Sequence, residues 1–400
     1  MNTSISRLHD IANKTERTII GLMSGTSVDG LDVALCRFSG TGMETKIELL
    51  QFETISYGIE YKSNIASVFS KKMVDLEKLC LLNAWVATQH AATILQCLEK
   101  WKIKKTAIDI IASHGQTIFH APKSLHRYPQ FENATLQIGD GDHLAVKTGI
   151  ITISDFRQKH IAAGGEGAPL AAYGDFLIFS QKDENRIMLN IGGIANFTSL
   201  PGTLNAAEVF CTDTGPGNTM MDAAIQQHFP GKFFDEHATI AGQGIINEKL
   251  LAALKDHPFF DQPFPKTTGP ELFNLSYLEI AKKNSQTETI SIEDTMATLN
   301  RFSSDTICTA IQKCLDNKSN FTFYVSGGGM HNPLLMKNIQ QQIPGSSFKS
   351  TSELLINPDA KEAVLFAVLA NETICGSRIN FGENRNGIPN VTMGKISFPF

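Results

Sequence analysis

The chain has 400 residues, 42% hydrophobic and 19% charged, which is enough apolar content for substantial cores and enough length for two domains. A formal net charge of −5 leaves no electrostatic footprint for nucleic acid, and the basic patch Lys100, Lys102, Lys104, Lys105 reads as a solvated helix end. The seven cysteines are scattered, odd in number and without a CxxC pair, so reduced cytoplasmic thiols fit better than a disulfide frame or a zinc site.

The N-terminal stretch before Thr18 is polar, and the apolar run Thr18 to Met23 is too short for a signal core or a membrane span, so no membrane partner is expected. That run predicts a strand entering a turn. Leu31 to Phe38 alternates as a second strand, giving a hairpin with a Ser/Gly/Thr tip. Leu76 to Trp101 is apolar at helical spacing and predicts one or two long helices. Ile108 to Ala112 predicts a short buried strand ending at Ser113-His114-Gly115.

The pattern then restarts. Arg186 to Ile191 predicts a strand running into Gly192-Gly193, and Thr212 to Asn218 predicts a polar glycine turn before a helix over Thr219 to His228. Phe321 to Val325 predicts a strand ending in Ser326-Gly327-Gly328-Gly329, and Ala360 to Thr373 an amphipathic helix. Strand-to-glycine turns in both halves predict two α/β lobes around a central ligand cleft. The expected lobes are residues 1–145, completed by about 360–400, and residues 146–359.

Three turns carry the chemistry. At the hairpin tip, Gly25-Thr26-Ser27 with Asp29, Gly30 and Asp32 offers small residues and hydroxyls to phosphate oxygens, and carboxylates such as Asp29 that hold Mg²⁺ through water. It is not a Walker A loop, because the lysine and spacing are missing. Asp213-Thr214-Gly215-Pro216-Gly217-Asn218 adds a second tight loop. Asp213 there is a carboxylate for Mg²⁺ or for an attacking water, and Asn218 can cap the next helix. Gly327-Gly328-Gly329 lets a flat ligand lie on bare backbone. This ordered set resembles the actin/hexokinase-like phosphotransferases, where two phosphate hairpins and an adenosine turn enclose ATP.

The residues resemble one family of that superfamily closely. Gly21-Leu22-Met23-Ser24-Gly25-Thr26-Ser27, Ser113-His114-Gly115-Gln116-Thr117, Asp155-Phe156-Arg157, Gly167-Ala168-Pro169-Leu170, Leu189 to Asn196, Asp213 to Asn218, Gly327 to Gly329 and Glu362-Ala363 follow the order of the anhydro-N-acetylmuramic acid kinases. The resemblance runs from about Gly21 to Ala370. It implies a two-lobed actin/hexokinase-like (ribonuclease H-like) α/β fold and Mg-ATP as phosphoryl donor. The implied reaction phosphorylates O6 of 1,6-anhydro-N-acetylmuramic acid while water opens the ring at C1, giving N-acetylmuramic acid 6-phosphate for cell-wall recycling. Arg157 is expected to clamp the lactyl carboxylate, with His114, Gln116, His120 and Glu362 as further sugar contacts. A homodimer is compatible with the resemblance.

The chain departs from the family at one point. Where the resemblance implies D-F-R-x-x-D, with the last Asp taken as the base, this chain has His160; where it implies Gln, it has Glu166. His160, Glu166 and Asp155 are therefore the candidates for activating water. The same substitutions leave two other readings: a kinase for a different amino or anhydro sugar, and an ATP-binding sensor without turnover.

Overall fold

The computed structural model describes residues 2–26, 28–126, 128–315, 321–354, 356–376, 379–382 and 388–400; Ser27 of the first turn lies outside them. The strands are β1 (Glu16–Ser24), β2 (Gly30–Ser39), β3 (Lys46–Ser56), β4 (Ile110–Ala121), β5 (Ala134–Ile138), β6 (Ile151–Ser154), β7 (Asn185–Ile191), β8 (Ile194–Leu200), β9 (Phe210–Pro216), β10 (Phe321–Ser326), β11 (Ser347–Ser350) and β12 (Lys395–Ser397).

Two compact units emerge. The first comprises Met1–Phe179, Ala206–Glu208 and Asp359–Phe400, and the second Ser180–Asn205 and Val209–Pro358. The first unit's sheet runs β12-β6-β4-β1-β2-β3, with β5 beside β4. Strands β1, β2 and β3 are antiparallel neighbours, whereas β4 is parallel to β1 and β6 parallel to β4. The second unit's sheet runs β11-β10-β7-β8-β9. Here β7, β8 and β9 are antiparallel, while β10 is parallel to β7 and β11 parallel to β10. Each unit thus has an antiparallel meander continued by two parallel strands. That repeated ribonuclease H-like topology is the actin/hexokinase-like α/β fold.

The β1–β2 hairpin forms in full register from Glu16↔Ser39 to Ser24↔Leu31. A cut at residue 145 would divide the first sheet, because β6 is paired with β4 from Ile110↔Ile151 to Ser113↔Ser154. The first unit therefore extends to Phe179. The strand expected to stop at Ser113-His114-Gly115 instead continues to Ala121, because β5 supplies an antiparallel partner for its second half. The long apolar stretch is one helix, Leu76–Lys100.

Alternating residues of the strands make the cores. In the first unit Ile20, Leu22, Val33, Leu35 and Ile111 meet Ala87, Ala91 and Ile94 of the long helix. In the second, Leu189, Ile191, Phe197 and Phe323 pack with Phe302 and Ile311. Each of the buried Val, Leu, Ile and Phe side chains among these contributes about 1.5–3 kcal/mol. Helix Lys361–Cys375 lies against β1, and a Cβ at Gly21 would stand 1.9 Å from the Ala363 carbonyl oxygen. Only glycine admits that approach.

Candidate active site

In the second unit the glycine turns meet one another. Gly217 and Thr219 donate backbone N–H groups to the Gly193 carbonyl at 2.8 and 3.1 Å, and Asn218 donates to Gly192 at 2.9 Å. A Cβ on Gly217 would sit 2.3 Å from the Gly192 oxygen, and one on Gly329 2.3 Å from Ile191 Cγ2. Gly327 has φ +82° and faces the Ile191 carbonyl in the same way. These glycines exist so that three backbone segments can touch. Gly328 differs: its Cβ would find nothing nearer than Asn218 Nδ2 at 3.7 Å. Among the described residues the amides of Gly192 and Gly193 donate no turn or loop hydrogen bond, so they are available to an anion. The cradle therefore fits a nucleotide phosphate group.

Asn218 does not cap the helix Thr219–His228; its side-chain amide points to the Ile191 carbonyl at 3.5 Å. Gly215 is also not a bare ligand face, for it has φ +140° and a Cβ there would press on Phe260 and Thr306 at 3.3 Å. Gly328→Val is therefore the clean probe of ligand contact. It should weaken ATP binding at least about tenfold by titration calorimetry, with the melting temperature little changed.

Asp213 does not sit in the turn itself but in β9, just before the glycines. One carboxylate oxygen, Oδ2, accepts the Thr268 N–H at 2.8 Å. Burial pushes the carboxyl up to about 7, with the Thr268 hydrogen bond opposing and Glu271 adding to the rise. A carboxyl titrating near neutrality is suited to taking a proton at working pH.

In the first unit the hairpin tip is held from below. Ser24 donates its hydroxyl to Gln116 Oε1 at 2.6 Å and accepts from Tyr57 at 2.9 Å, while Gln116 Nε2 donates to the Gly25 carbonyl at 3.2 Å. Gln116 is fully buried, so its side chain positions the turn and has no polar atom left over for a sugar. Thr26 and Asp29 are exposed. Gly30 is packed on the Ile55 carbonyl, where a Cβ would stand 2.6 Å away. Asp32 accepts from the Thr54 hydroxyl at 2.6 Å, and burial raises its carboxyl.

Arg157 is the hub of the other cluster. Its Nε donates to His114 Nε2 at 2.9 Å and its Nη1 to the Gly167 carbonyl at 2.6 Å. Burial lowers the guanidinium to about 10, and Glu362 acts in the opposite sense. Asp155 and Asp175 do not claim it, since they pair with Lys395 and Lys361. Glu362 does not cap its helix; its carboxyl is raised by the surrounding protein, with Arg157 and Lys361 opposing. His114 is held well below its usual range by burial and by Arg157, so it is a neutral acceptor. His120 is exposed at the far end of β4.

The three residues expected to activate water fare differently. His160 has no exposed surface, and its Nδ1 accepts the Gly167 N–H at 2.9 Å. The ring proton is thus on Nε2, leaving no free lone pair. Burial, with Arg157 adding, lowers the group to about 4. The ring also fills the space beside Gly165, where a Cβ would come within 2.2 Å of it. His160 shapes the loop after its helix; it is not placed to take a proton from water, because both ring nitrogens are committed or enclosed. Asp155 is bonded to Lys395. Glu166 is partly buried, which raises its carboxyl.

Sequence reading missed the segment that holds Asp213. Pro265-Lys266-Thr267-Thr268-Gly269 is distant in sequence and looks like an ordinary polar turn, yet it supplies the Thr268 amide. Its one signal was a lysine and two threonines between proline and glycine.

The twice-repeated ribonuclease H-like sheet, with glycine turns at its strand ends, is the frame of the sugar-kinase class of phosphotransferases. The sequence profile described as Anhydro-N-acetylmuramic acid kinase matches residues 17–396. The chain is 57% identical over 400 residues to the anhydro-N-acetylmuramic acid kinase of Pseudoalteromonas atlantica, covering 100% of both chains. It is 37% identical to that of Caldanaerobacter subterraneus, covering 98% of this chain and 100% of the relative. Among solved structures it is similar to a ROK family glucokinase from Streptomyces griseus in complex with glucose and AMPPNP, at 10% identity and a TM-score of 0.35, covering 88% of this chain and 98% of that one. The chain belongs to the anhydro-N-acetylmuramic acid kinase family.

Proposed function

We propose that the chain uses ATP to phosphorylate O6 of 1,6-anhydro-N-acetylmuramic acid while water opens the anhydro bridge, giving N-acetylmuramic acid 6-phosphate. The observation that carries this reading is Asp213: a carboxyl raised to about 7, beside a cradle of glycine amides, in a chain whose whole length matches the family.

When bound, ATP with Mg²⁺ supplies the phosphoryl group. The chain's own residues do the rest. The amides of Gly192 and Gly193 and the open face of Gly328 bind nucleotide. Asp213 takes a proton from the water that adds at C1, so that the C1–O6 bond breaks and O6 becomes the phosphoryl acceptor. Arg157 clamps the lactyl carboxylate through Nη2, which among the described residues donates to nothing else, with His114 fixing the guanidinium plane. Asp213 is assigned to the proton, not to the metal. The exposed carboxylate of Asp29 would hold Mg²⁺ through water, and the ion would supply charge neutralisation to the phosphates.

The reaction in labelled water tests this. One ¹⁸O should appear at C1 of a singly phosphorylated product, with one ADP formed per sugar. ATP consumption with another amino sugar but not this one would assign a different substrate, and none with any sugar would make the chain a nucleotide-binding protein. In this reading the enzyme works in the cytoplasm as a homodimer. Among the described residues no helix is long and apolar enough to cross a membrane. Sedimentation at the mass of one chain would remove the dimer.

A further inference from the structure

Lys266 is a buried lysine, 7% exposed, and among the described residues it has no ion pair. Its ammonium instead lies over the rings of Phe259 at 4.3 Å and Phe264 at 4.8 Å, with Phe260 at 5.8 Å, and donates to the Phe259 carbonyl at 2.8 Å. No described carboxylate is within ion-pair distance, and the pull of Asp261 only opposes the larger effect of burial; an apolar side chain would fill the space at no such cost. The cation therefore has work beyond packing.

The backbone of the same residue shows what that work is. Lys266 N–H donates to Thr212 Oγ1 at 3.0 Å, and its carbonyl accepts from the Thr212 hydroxyl at 3.1 Å and from Asp213 N–H at 3.0 Å. Two residues on, Thr268 N–H holds Asp213 Oδ2. Asp213 is thus gripped at its amide and at its carboxylate by one short segment, and the caged ammonium is that segment's anchor. A cavity of about 100 Å³ lies alongside; its lining includes Phe260, Phe264, Lys266 and Lys313, together with the ion-paired Lys255 and Asp305. It gives the segment room to shift once the anchor is lost.

We propose that Lys266 is a positioning residue for the reaction: its aromatic cage fixes the segment that aims the Asp213 carboxylate. The inference rests on the reading of Asp213 as the base.

Steady-state kinetics of the full chain test it. Lys266→Met keeps the stem and removes the charge. It should lower kcat at least about tenfold, with KM for sugar and for ATP within about twofold of wild type, because aim is lost and not binding. Lys266→Arg should restore kcat to within about threefold, since a guanidinium also stacks on aromatic faces. In the double variant with Asp213→Asn, Lys266→Met should cost nothing further. Wild-type kcat in Lys266→Met, or a higher KM at unchanged kcat, would overturn the proposal. If Lys266→Met shows no cooperative melt, Phe264→Leu, which removes one ring of the cage, is measured instead, and an unchanged kcat there overturns it. Full turnover by Asp213→Asn would sink the base reading itself. An inactive Asp213→Asn beside an unaffected Lys266→Met sinks only the positioning role.

Discussion

Asp213→Asn should lose about a hundredfold or more in kcat while ATP still binds, the usual worth of a positioned base. The amide keeps an oxygen for the Thr268 N–H, so the fold has no reason to change. What disappears is the lone pair that takes a proton. The pH dependence carries the same assignment. A base acts when deprotonated, and the Asp213 carboxyl is raised to about 7, so activity falls as pH drops through that value. Were His160 the base, the acid limb would lie near its lowered value of about 4. Two assignments about three pH units apart are separated by one kcat profile between pH 4 and 9. His160→Ala, by contrast, should leave the profile in place and lower the melting temperature, since the Gly167 amide loses its buried acceptor.

The second large effect is expected at Arg157. Arg157→Ala removes a buried cation that bonds His114 and the Gly167 carbonyl and offsets the raised carboxyl of Glu362. Truncating one partner of such a set costs about 2–5 kcal/mol. The KM for the anhydro sugar should rise at least about thirtyfold, while the ATP dissociation constant stays within about twofold. An anhydro sugar lacking the lactyl group tells clamp from scaffold: if Arg157 holds that carboxylate, the variant loses little further rate on the truncated substrate. Equal losses on both substrates would make Arg157 a support for the loop at Gly167.

Much of this was legible in the sequence because the features were local. The β1–β2 hairpin, the strands running into Gly192 and Gly327, and the helices at Thr219 and Lys361 are written in alternation and punctuation over fewer than thirty residues each. The base was not legible in that way. His160 stands where the family pattern places a carboxylate, and that resemblance made it a candidate substitute beside Glu166 and Asp155. Only the fold shows that its Nδ1 is occupied by Gly167 and that its ring has no exposed surface. Gln116 misled for the same reason: the expected strand end at His114-Gly115 suggests sugar contacts, but its partners Ser24 and Gly25 lie far away in sequence. The boundary at residue 145 failed because β6 joins a sheet begun by β1, and strand pairing across such a distance leaves no mark in composition.

The close approach of Gly21 to Ala363 has a consequence for the order in which the protein is made. The first strand of the first unit, β1, is synthesised near the start, and the helix that covers it, Lys361–Cys375, near the end. Chains emerge from the ribosome at about 5–20 residues per second, so β1 waits many seconds with an apolar face uncovered. The second unit meets no such delay, for its whole core lies between Ile187 and Phe348. Nascent chains stalled before residue 359 should therefore carry a protease-resistant second unit and a first unit still open to cleavage, and a holdase that shields β1 should raise the yield of the complete enzyme.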